Sequence, residues 1–345
     1  MRTEINKLGE FGLIERIASN FPLQKNTSKK GIADDAAVIE IENGKQLLVS
    51  TDMLVEGIHF DLSYTPLKHL GYKAVSVNVS DIAAMNGIPH QITVSLALSN
   101  RFSVEAVDEF YEGVKFACQD YGIDLVGGDT TSSPKGLIIS ITALGQASPE
   151  KIVYRNTAKK GDILCVTGDL GAAFVGLQIL EREKRVFLDA PQAQPKLDNV
   201  EHVVARQLKP KARMDIIYEL EEQGILPTSM MDISDGLASE IHHICRQSKV
   251  GAMIYEKNIP ILDETAMTAA EELKLSPLTC ALNGGEDYEL LFTIKQEDLE
   301  KIEKIVDVHL IGYLHEAKKG VKVAMNSEQL MDIKAQGWKH FEENE

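Results

Sequence analysis

The sequence has few cysteines and no arrangement of them that would form a disulfide framework. Its 345 residues include four, Cys118, Cys165, Cys245 and Cys280, and none forms a CxxC pair. Widely spaced cysteines in apolar surroundings are typical of reduced thiols inside the cell. We therefore expect a cytoplasmic protein without disulfides.

Positive charge and long apolar runs are also scarce. Lysine and arginine number 36 against 52 acidic residues, which gives a net charge of −16. Such a balance disfavours nucleic acid or an anionic membrane as the main partner. The first residues, MRTEINKLGEFGLIERI, lack the apolar core of a signal peptide, and no stretch approaches the roughly 20 apolar residues of a membrane span. We expect neither a membrane nor a nucleic-acid partner.

Several familiar motifs are missing. The sequence contains no GxxxxGK[ST] loop, no GxGxxG after a strand, no GxSxG elbow and no HRD/DFG pair. Its nine histidines show no HxxxH or HExxH spacing, which disfavours zinc. If the protein binds a nucleotide, the site must be built in a less common way.

The chain does contain alternating strand-like and helix-like segments. Residues 46–51 are predicted to form a buried strand, and a long helix follows with Thr65 as N-cap and Pro66 at its first position. A polar, turn-rich stretch near 147–160 suggests a boundary. The fold class is therefore α/β (α+β), with an N-terminal domain over 1–148, containing a mixed sheet and long helices, and a C-terminal α/β domain over 149–345.

Two segments are predicted to be irregular. The sequence LVGGDTT (125–131) reads as a strand that passes into a loop, because glycine, aspartate and threonine favour turns. Residues 182–198 are charged and contain proline, so they are predicted to form an excursion from the regular structure.

Acidic residues stand at places that would exclude water. Asp52, Asp129 and Asp232 each follow an apolar strand-like run, and Asp81 lies on the apolar stripe of the long helix, four residues after Val77. A buried carboxylate needs a partner, and basic residues are scarce near these positions. Mg²⁺, which prefers carboxylate, hydroxyl and water oxygens, would supply one.

Each acidic cluster also contains hydroxyls or glycines, as in 50–52, 127–131 and 232–236. Hydroxyls can ligate Mg²⁺, and glycines allow a phosphate to approach the backbone. Any one cluster alone could equally be a turn, and Ser-Asp-Gly before a helix could be an ordinary cap. Their combination favours a shared metal site.

The same clusters resemble a known family. The chain resembles the thiamine-monophosphate kinases, within the superfamily of aminoimidazole-ribonucleotide synthetase-like ATP-using enzymes, over residues 8–341. The motifs that carry this resemblance are GIADDAAVI, STDMLVEGIHF, YKAVSVNVSDIAAM, VGGDTT, MDISDGL and NGGEDYELLFT. One departure is Ala33, where the family usually has glycine.

The resemblance implies transfer of the ATP γ-phosphoryl group to thiamine phosphate, with several Mg²⁺ ions, and a homodimer formed through the long helices of the N-terminal domain. The implied metal ligands are Asp35, Ser50, Thr51, Asp52, Asp81, Asp129, Asp232 and Asp235. The implied ATP contacts are Gly128, Arg155, Ser234 and Tyr111, the last from a loosely matching helix. The implied contacts on the thiamine side are His59, Glu286 and Trp338.

The chemistry agrees with the absence of an obvious catalytic histidine. A phosphate monoester has a second pKa of about 6 and is already a nucleophile near neutral pH, so no general base is required. On the thiamine side, Trp338 could attract the cationic thiazolium by roughly 0.5–2 kcal/mol, or could simply be a terminal anchor. His59 could instead bond a loop, and Glu286 could be a turn carboxylate.

Two other functions remain open. One is another synthetase of the superfamily, of the selenophosphate or aminoimidazole-ribonucleotide type. A selenophosphate synthetase would need a reactive cysteine near its N-terminus, whereas the first cysteine here is Cys118. The other is a non-catalytic module that binds Mg²⁺ and nucleotide.

Overall fold

The computed structural model describes residues 9–32, 34–41 and 44–334. Ala33 and Trp338 lie outside the described residues. The N-terminal elements are α1 (Gly9–Asn20), β1 (Ser28–Lys30), β2 (Ala37–Glu40), β3 (Gln46–Val55), α2 (Leu67–Ala84), β4 (Ile88–Leu98), α3 (Val104–Tyr121), β5 (Asp124–Ser132) and β6 (Ile138–Ala147). The six strands form one sheet in the order β1-β2-β3-β6-β4-β5, in which only the β4–β5 pair is parallel.

The C-terminal elements form a second layered unit around a seven-stranded sheet. Its strands are ordered β13-β12-β9-β11-β7-β10-β8, and only β12 and β9 run parallel. The elements are β7 (Ile163–Thr167), α4 (Ala172–Asp189), α5 (Glu201–Leu208), α6 (Met214–Glu222), β8 (Ser229–Asp232), α7 (Leu237–Ser248), β9 (Val250–Tyr255), α8 (Asp263–Met267), α9 (Pro277–Asn283), β10 (Leu290–Ile294), α10 (Leu299–Ile302), β11 (Val308–Glu316), β12 (Val321–Ala324) and β13 (Leu330–Asp332).

The expected α/β class with two mixed-sheet domains is confirmed. The strand β6 ends at Ala147 and β7 begins at Ile163, so the predicted boundary at 148/149 falls between the two sheets and stays a prediction. No helix within the described part of the chain is long and apolar enough to cross a membrane.

Helix α2 is the central element of the molecule. It contacts α3, the N-terminal sheet and β8 of the second sheet, and 14 of its 18 residues are buried. The helix therefore has no single apolar stripe. It begins at Leu67 rather than Pro66, because Pro66 has an extended backbone with ψ of 136°. Asp81 is the one residue of the last three turns that is not fully buried, so its side chain is open to a site.

One segment predicted to be partly irregular is a continuous strand, and the other is partly helical, with residues 190–198 outside helices and strands as predicted. The segment predicted as a strand that passes into a loop stays in strand β5 as far as Ser132, because it pairs in parallel with β4. Helix α4 extends to Asp189, well into the predicted excursion, because Glu183 is buried on it and accepts a hydrogen bond from the Lys196 N–H at 2.9 Å. In both cases packing against a neighbour overrides the local preference.

The two long helices of the N-terminal domain differ in exposure: α2 is largely covered within the chain, whereas most of α3 is not buried. A homodimer formed through these helices stays a prediction. The exposed apolar side chains of this domain include Met53 on β3, Phe116 on α3, and Leu125 and Val126 on the edge strand β5.

Candidate metal and phosphate site

Three carboxylates from distant parts of the chain meet beside α2. Asp35 precedes β2, Asp81 lies on α2 and Asp232 ends β8, and each places one oxygen within 4.8 Å of the others. Asp35 and Asp232 are buried. Two of these carboxylates come from the N-terminal domain and one from the C-terminal domain, so the cluster joins the two.

Hydroxyl groups orient two of these carboxylates. The Ser50 hydroxyl donates to Asp81, and the Ser80 hydroxyl donates to Oδ2 of Asp232 at 2.6 Å. Because side chains alternate along a strand, Ser50 and Asp52 lie on the same face of β3. The backbone N–H of Asp52 donates to Oδ1 of Asn78 on α2 at 3.0 Å. Helix α2 thus contacts Asp52 of β3 through Asn78 and Asp232 of β8 through Ser80, and positions both residues.

Burial and mutual repulsion shift the acidities of this group. Burial and the nearby Asp35 carboxylate raise the pKa of Asp52 to about 6. The same two causes raise the pKa of Asp232 to about 7, against the opposing effects of the Ser80 hydroxyl and Arg155. Burial, followed by Asp52, Asp232 and Asp35, raises the pKa of Asp81 well above its usual range. When these carboxyls are ionised, the positive charges near them do not balance their negative charge.

Arg155 partly neutralises Asp34 and Asp35, the acidic pair that precedes β2. Its guanidinium binds Asp35 in a bidentate manner, with Nε 2.8 Å from Oδ2, and its backbone N–H donates to Oδ1 of Asp34 at 3.3 Å. Lys30 lies 2.9 Å from the other oxygen of Asp34. Basic partners are therefore present for this pair: Lys30 lies four residues before Asp34, and Arg155 lies 120 residues after Asp35 in the sequence.

Three predicted metal ligands lie apart from this cluster of carboxylates. The Thr51 side chain is exposed on the opposite face of β3 and donates to the carbonyl of Ile141 at 3.0 Å. Asp129 is exposed on β5, where it accepts a hydrogen bond from the N–H of Thr130 at 2.9 Å. Asp235 is half-buried beyond the end of β8. A metal role for these three side chains stays a prediction.

The predicted ATP contacts on β5 and α3 lie near a surface cavity of about 330 Å³. Tyr111 and Lys115 of α3 line it together with Asp124 and Leu125 of β5. Gly128 is exposed three residues further along the same strand than Leu125. This arrangement provides an aromatic and partly apolar recess beside the glycine segment.

The two glycines of that segment have different structural demands. A Cβ on Gly128 would lie 1.8 Å from the carbonyl oxygen of Val94, so strand pairing alone excludes a side chain there. A Cβ on Gly127 would approach nothing more closely than Cγ2 of Thr93 at 4.0 Å. Packing therefore requires a glycine at position 128 but not at position 127.

Two of the residues predicted to contact thiamine, His59 and Glu286, lie in described loops. Glu286, in the turn before β10, binds the buried Lys73 of α2 at 3.1 Å and the side-chain amide of Gln207 at 2.8 Å. His59 follows β3, and its Nδ1 accepts the N–H of Val55 at 3.0 Å, which leaves the proton of the neutral ring on Nε2. Glu286 is thus an ion-pair partner as well as a candidate substrate contact.

The structure adds residues that the sequence analysis did not single out. Tyr288 is buried beside the carboxylates, and burial, then Glu286 and Asp52, raise its pKa well above the usual range. Ser80 and Lys73 line the same side of the site from α2. For the two residues of α2, the available signal was a polar side chain within a long helix that contains several valines and alanines.

The donor set fits a hard divalent cation. Carboxylate and hydroxyl oxygens are the ligands that Mg²⁺ prefers, and the unbalanced negative charge of Asp52, Asp81 and Asp232 is the kind that a bound cation would offset. No histidine or cysteine belongs to the three-carboxylate cluster among the described residues. The residues present therefore suit magnesium better than zinc.

Comparison with known proteins covers both domains. Residues 33–147 match the family described as AIR synthase related protein, N-terminal domain, and residues 159–323 match its C-terminal domain. The chain is 36% identical over 337 residues to the thiamine-monophosphate kinase of Aquifex aeolicus (strain VF5), covering 98% of this chain and 99% of that protein. It is 33% identical over 343 residues to the thiamine-monophosphate kinase of Bacillus subtilis (strain 168), covering 97% and 100%.

A solved structure extends the comparison to three dimensions. The structure described as "AaThiL complexed with AMPPCP and TMP" superposes with a TM-score of 0.83 at 34% identity, and the match covers 99% of this chain and 100% of that one. The similarity therefore extends over both sheets.

Proposed function

The chain belongs to the thiamine-monophosphate kinase family, and on this basis we propose that it transfers the γ-phosphoryl group of ATP to thiamine monophosphate, giving thiamine diphosphate and ADP. The observation that carries the proposal is the cluster of Asp35, Asp81 and Asp232, assembled from both domains. A relative of the same fold is described as a complex with AMPPCP and TMP, which supports these two ligand classes.

The proposed reaction is a direct in-line displacement. The phosphate of the acceptor is mostly a dianion near neutral pH, so it attacks without a general base. The difficulty is repulsion between that dianion and the phosphates of ATP. Asp35, Asp52, Asp81 and Asp232 would hold several Mg²⁺ ions, which supply charge neutralisation for both sets of phosphates.

The protein's own residues position the reactants. Arg155, which already binds Asp35 in a bidentate manner, can turn part of its planar donor set toward a phosphate. Ser234 is exposed beside Asp235; its hydroxyl lies 3.4 Å from Oε1 of Glu240 and would turn from it to donate to the nucleotide. In this proposal the adenine lies in the recess beside Tyr111, and the phosphates pass Gly128.

The thiamine moiety is proposed to lie toward His59 and Glu286. Lys73 lies 3.1 Å from the Glu286 carboxylate and holds it in place, so the carboxylate can face the cationic thiazolium. The proton on Nε2 of His59 is a donor suited to an anionic or carbonyl-like group of the substrate. Trp338, outside the described residues, completes the proposed contacts.

We also propose that two copies pair through the open face of the N-terminal domain. All nine residues of β5 are exposed, and β5 is a free edge of the sheet. Leu125 and Val126 on this edge and Phe116 on α3 are exposed apolar side chains that a second copy would bury. A cytoplasmic location is proposed because all four cysteines are free thiols.

The test is a turnover assay on the purified chain with ATP and Mg²⁺. Thiamine monophosphate should give thiamine diphosphate and ADP, detected by chromatography, while unphosphorylated thiamine should give no product. Asp232→Asn should abolish turnover, and Asp108→Asn, an exposed carboxylate on α3, should not. Turnover of selenide or an aminoimidazole precursor instead of thiamine monophosphate would overturn the proposal.

A further inference from the structure

The loop that carries Ser234 and Asp235 is fixed by a buried carboxylate. Glu240 lies in the first turn of α7 and is 1% exposed. Its Oε1 accepts the backbone N–H of Asp235 at 2.9 Å and that of Ser234 at 3.2 Å. One carboxylate oxygen therefore receives two consecutive amides of the loop.

This arrangement differs from ordinary helix capping. The N-cap of α7 is Gly236, which has no side chain and a φ of 111°. The amides that Glu240 binds precede that cap, so they are not the free N–H groups of the helix itself. The carboxylate holds the loop before α7, which is the part expected to face the nucleotide.

The other side of the loop is fixed as well. The carbonyl of Ser234 accepts the N–H of Glu286 at 2.7 Å, and the carbonyl of Ile233 accepts the N–H of Tyr288 at 2.9 Å. A Cβ on Gly285 would lie 2.5 Å from the Ser234 carbonyl, so the two loops are in close contact. With its carbonyls held by one loop and its amides by Glu240, the segment has one defined conformation.

Burial of the Glu240 carboxylate lowers the stability of the fold. The second carboxylate oxygen of Glu240, Oε2, is buried and has no hydrogen-bond partner among the described residues, which is unfavourable for a charged group. A neutral acceptor would serve the fold without placing two acidic groups side by side. A costly arrangement at a site is commonly retained because the geometry serves function.

We propose that Glu240 is a positioning residue for nucleotide binding: its Oε1 accepts the amides of Ser234 and Asp235 and, at 3.4 Å, the Ser234 hydroxyl, and so fixes the loop that faces Mg²⁺-bound ATP. The inference rests on the proposed function. It predicts that Glu240 affects the nucleotide side of the reaction and leaves the thiamine side unaffected.

Three variants test the role of the acceptor oxygen. Glu240→Gln keeps an oxygen that can accept both amides, Glu240→Ala removes it, and Glu240→Asp withdraws it by one methylene. Asp162→Ala is the matched control, because Asp162 is also buried and accepts an amide, that of Lys159 at 2.8 Å, at the opposite end of the sheet from Asp232.

Two measurements need no turnover. Hydrogen exchange in the ligand-free protein should be about tenfold or more faster at the Ser234 and Asp235 amides of Glu240→Ala, since a lost bond of about 1.4 kcal/mol is a factor of ten. Calorimetric titration with AMPPCP and Mg²⁺ should show about tenfold weaker binding for Glu240→Ala and binding within about threefold of wild type for Glu240→Gln. Should Glu240→Ala fail to fold, Glu240→Asp should show the same weakening.

Steady-state kinetics supply the discriminating result. The KM for ATP should rise in Glu240→Ala while the KM for thiamine monophosphate stays within about twofold. Unchanged AMPPCP affinity in Glu240→Ala, equal weakening in Glu240→Gln, or equal weakening in Asp162→Ala would each overturn the inference. A wild-type chain without kinase turnover would sink the proposed function, whereas exchange and AMPPCP binding would still decide the role of Glu240.

Discussion

Replacing Asp81 by asparagine should make the metal-free protein more stable and the magnesium-loaded protein inactive. In the structure the Asp81 oxygen lies within 4.8 Å of oxygens of Asp35 and Asp232. At that separation and an effective dielectric constant of about 20, two unit charges repel by about 3.5 kcal/mol. Protonation already removes part of this repulsion, so we expect a gain of about 1–3 kcal/mol in the free energy of unfolding near pH 8.

The sign of the pH dependence follows from the raised pKa values. Asp52 and Asp232 have folded pKa values of about 6 and about 7 against an ordinary value of 3.8. A carboxyl with a raised pKa stabilises the folded state while it is protonated, and this contribution is lost as the pH rises from about 4 to about 7. Burial, Asp52, Asp232 and Asp35 also raise the pKa of Asp81, so the advantage of Asp81→Asn should be small near pH 4 and should increase as the pH rises and these carboxyls ionise.

Magnesium should reverse the order. A cation that binds the folded wild type at about 100 times its Kd adds about 2.7 kcal/mol, and the variant should lose most of this gain. Asparagine still offers an oxygen to the Ser50 hydroxyl, so the local hydrogen bond is kept.

Urea denaturation followed by circular dichroism, in EDTA and in excess Mg²⁺, measures both effects. The control is Asp108→Asn, which removes the same charge from an exposed position on α3 and should change stability by no more than about 0.5 kcal/mol. If Asp81→Asn is less stable than wild type in EDTA near pH 8, or if Mg²⁺ stabilises both proteins equally, the electrostatic account of the cluster is refuted.

Three further outcomes follow from the geometry. Arg155→Lys loses the bidentate contact with Asp35 and should lower kcat/KM for ATP by about tenfold; an unchanged value would remove the arginine from the nucleotide site. Gly128→Ala should lower the free energy of unfolding by about 1–3 kcal/mol through its clash with the neighbouring strand, whereas Gly127→Ala should keep wild-type stability and weaken AMPPCP binding. Equal thermal midpoints for both glycine variants would contradict this. Lys73→Met removes the buried ammonium of an interdomain ion pair and should destabilise the fold by about 1–3 kcal/mol in urea; no loss would mean that the pair is not formed.

The sequence predicted which chemical groups form the site better than it predicted which residues belong to it. Asp232 after an apolar run and Asp81 inside a helix indicated a buried acidic cluster, and these two meet Asp35, which the family resemblance implied. The alternation of side chains along β3 was also readable: if Ser50 and Asp52 face the cluster, Thr51 must face away.

Local propensity failed where a neighbouring element decides the conformation. Gly-Gly-Asp-Thr-Thr favours a turn in isolation, yet pairing with β4 holds these residues in the edge strand β5. The charged half of α4 likewise stays helical because one buried acid on it binds the backbone of the following segment. Neither partner is near enough in the chain to appear in a local pattern.

The sequence by itself determined the residue types, the order of strands and helices, and the family. Only the tertiary structure decided which charges meet: Arg155 with Asp35, 120 residues apart, and Lys73 with Glu286, 213 residues apart. It also showed that Glu240 reaches back to hold the loop before its own helix. The physical reason is that a buried charge is satisfied by whichever donor the fold brings within about 3 Å, and that distance depends on the packing of the two domains around α2.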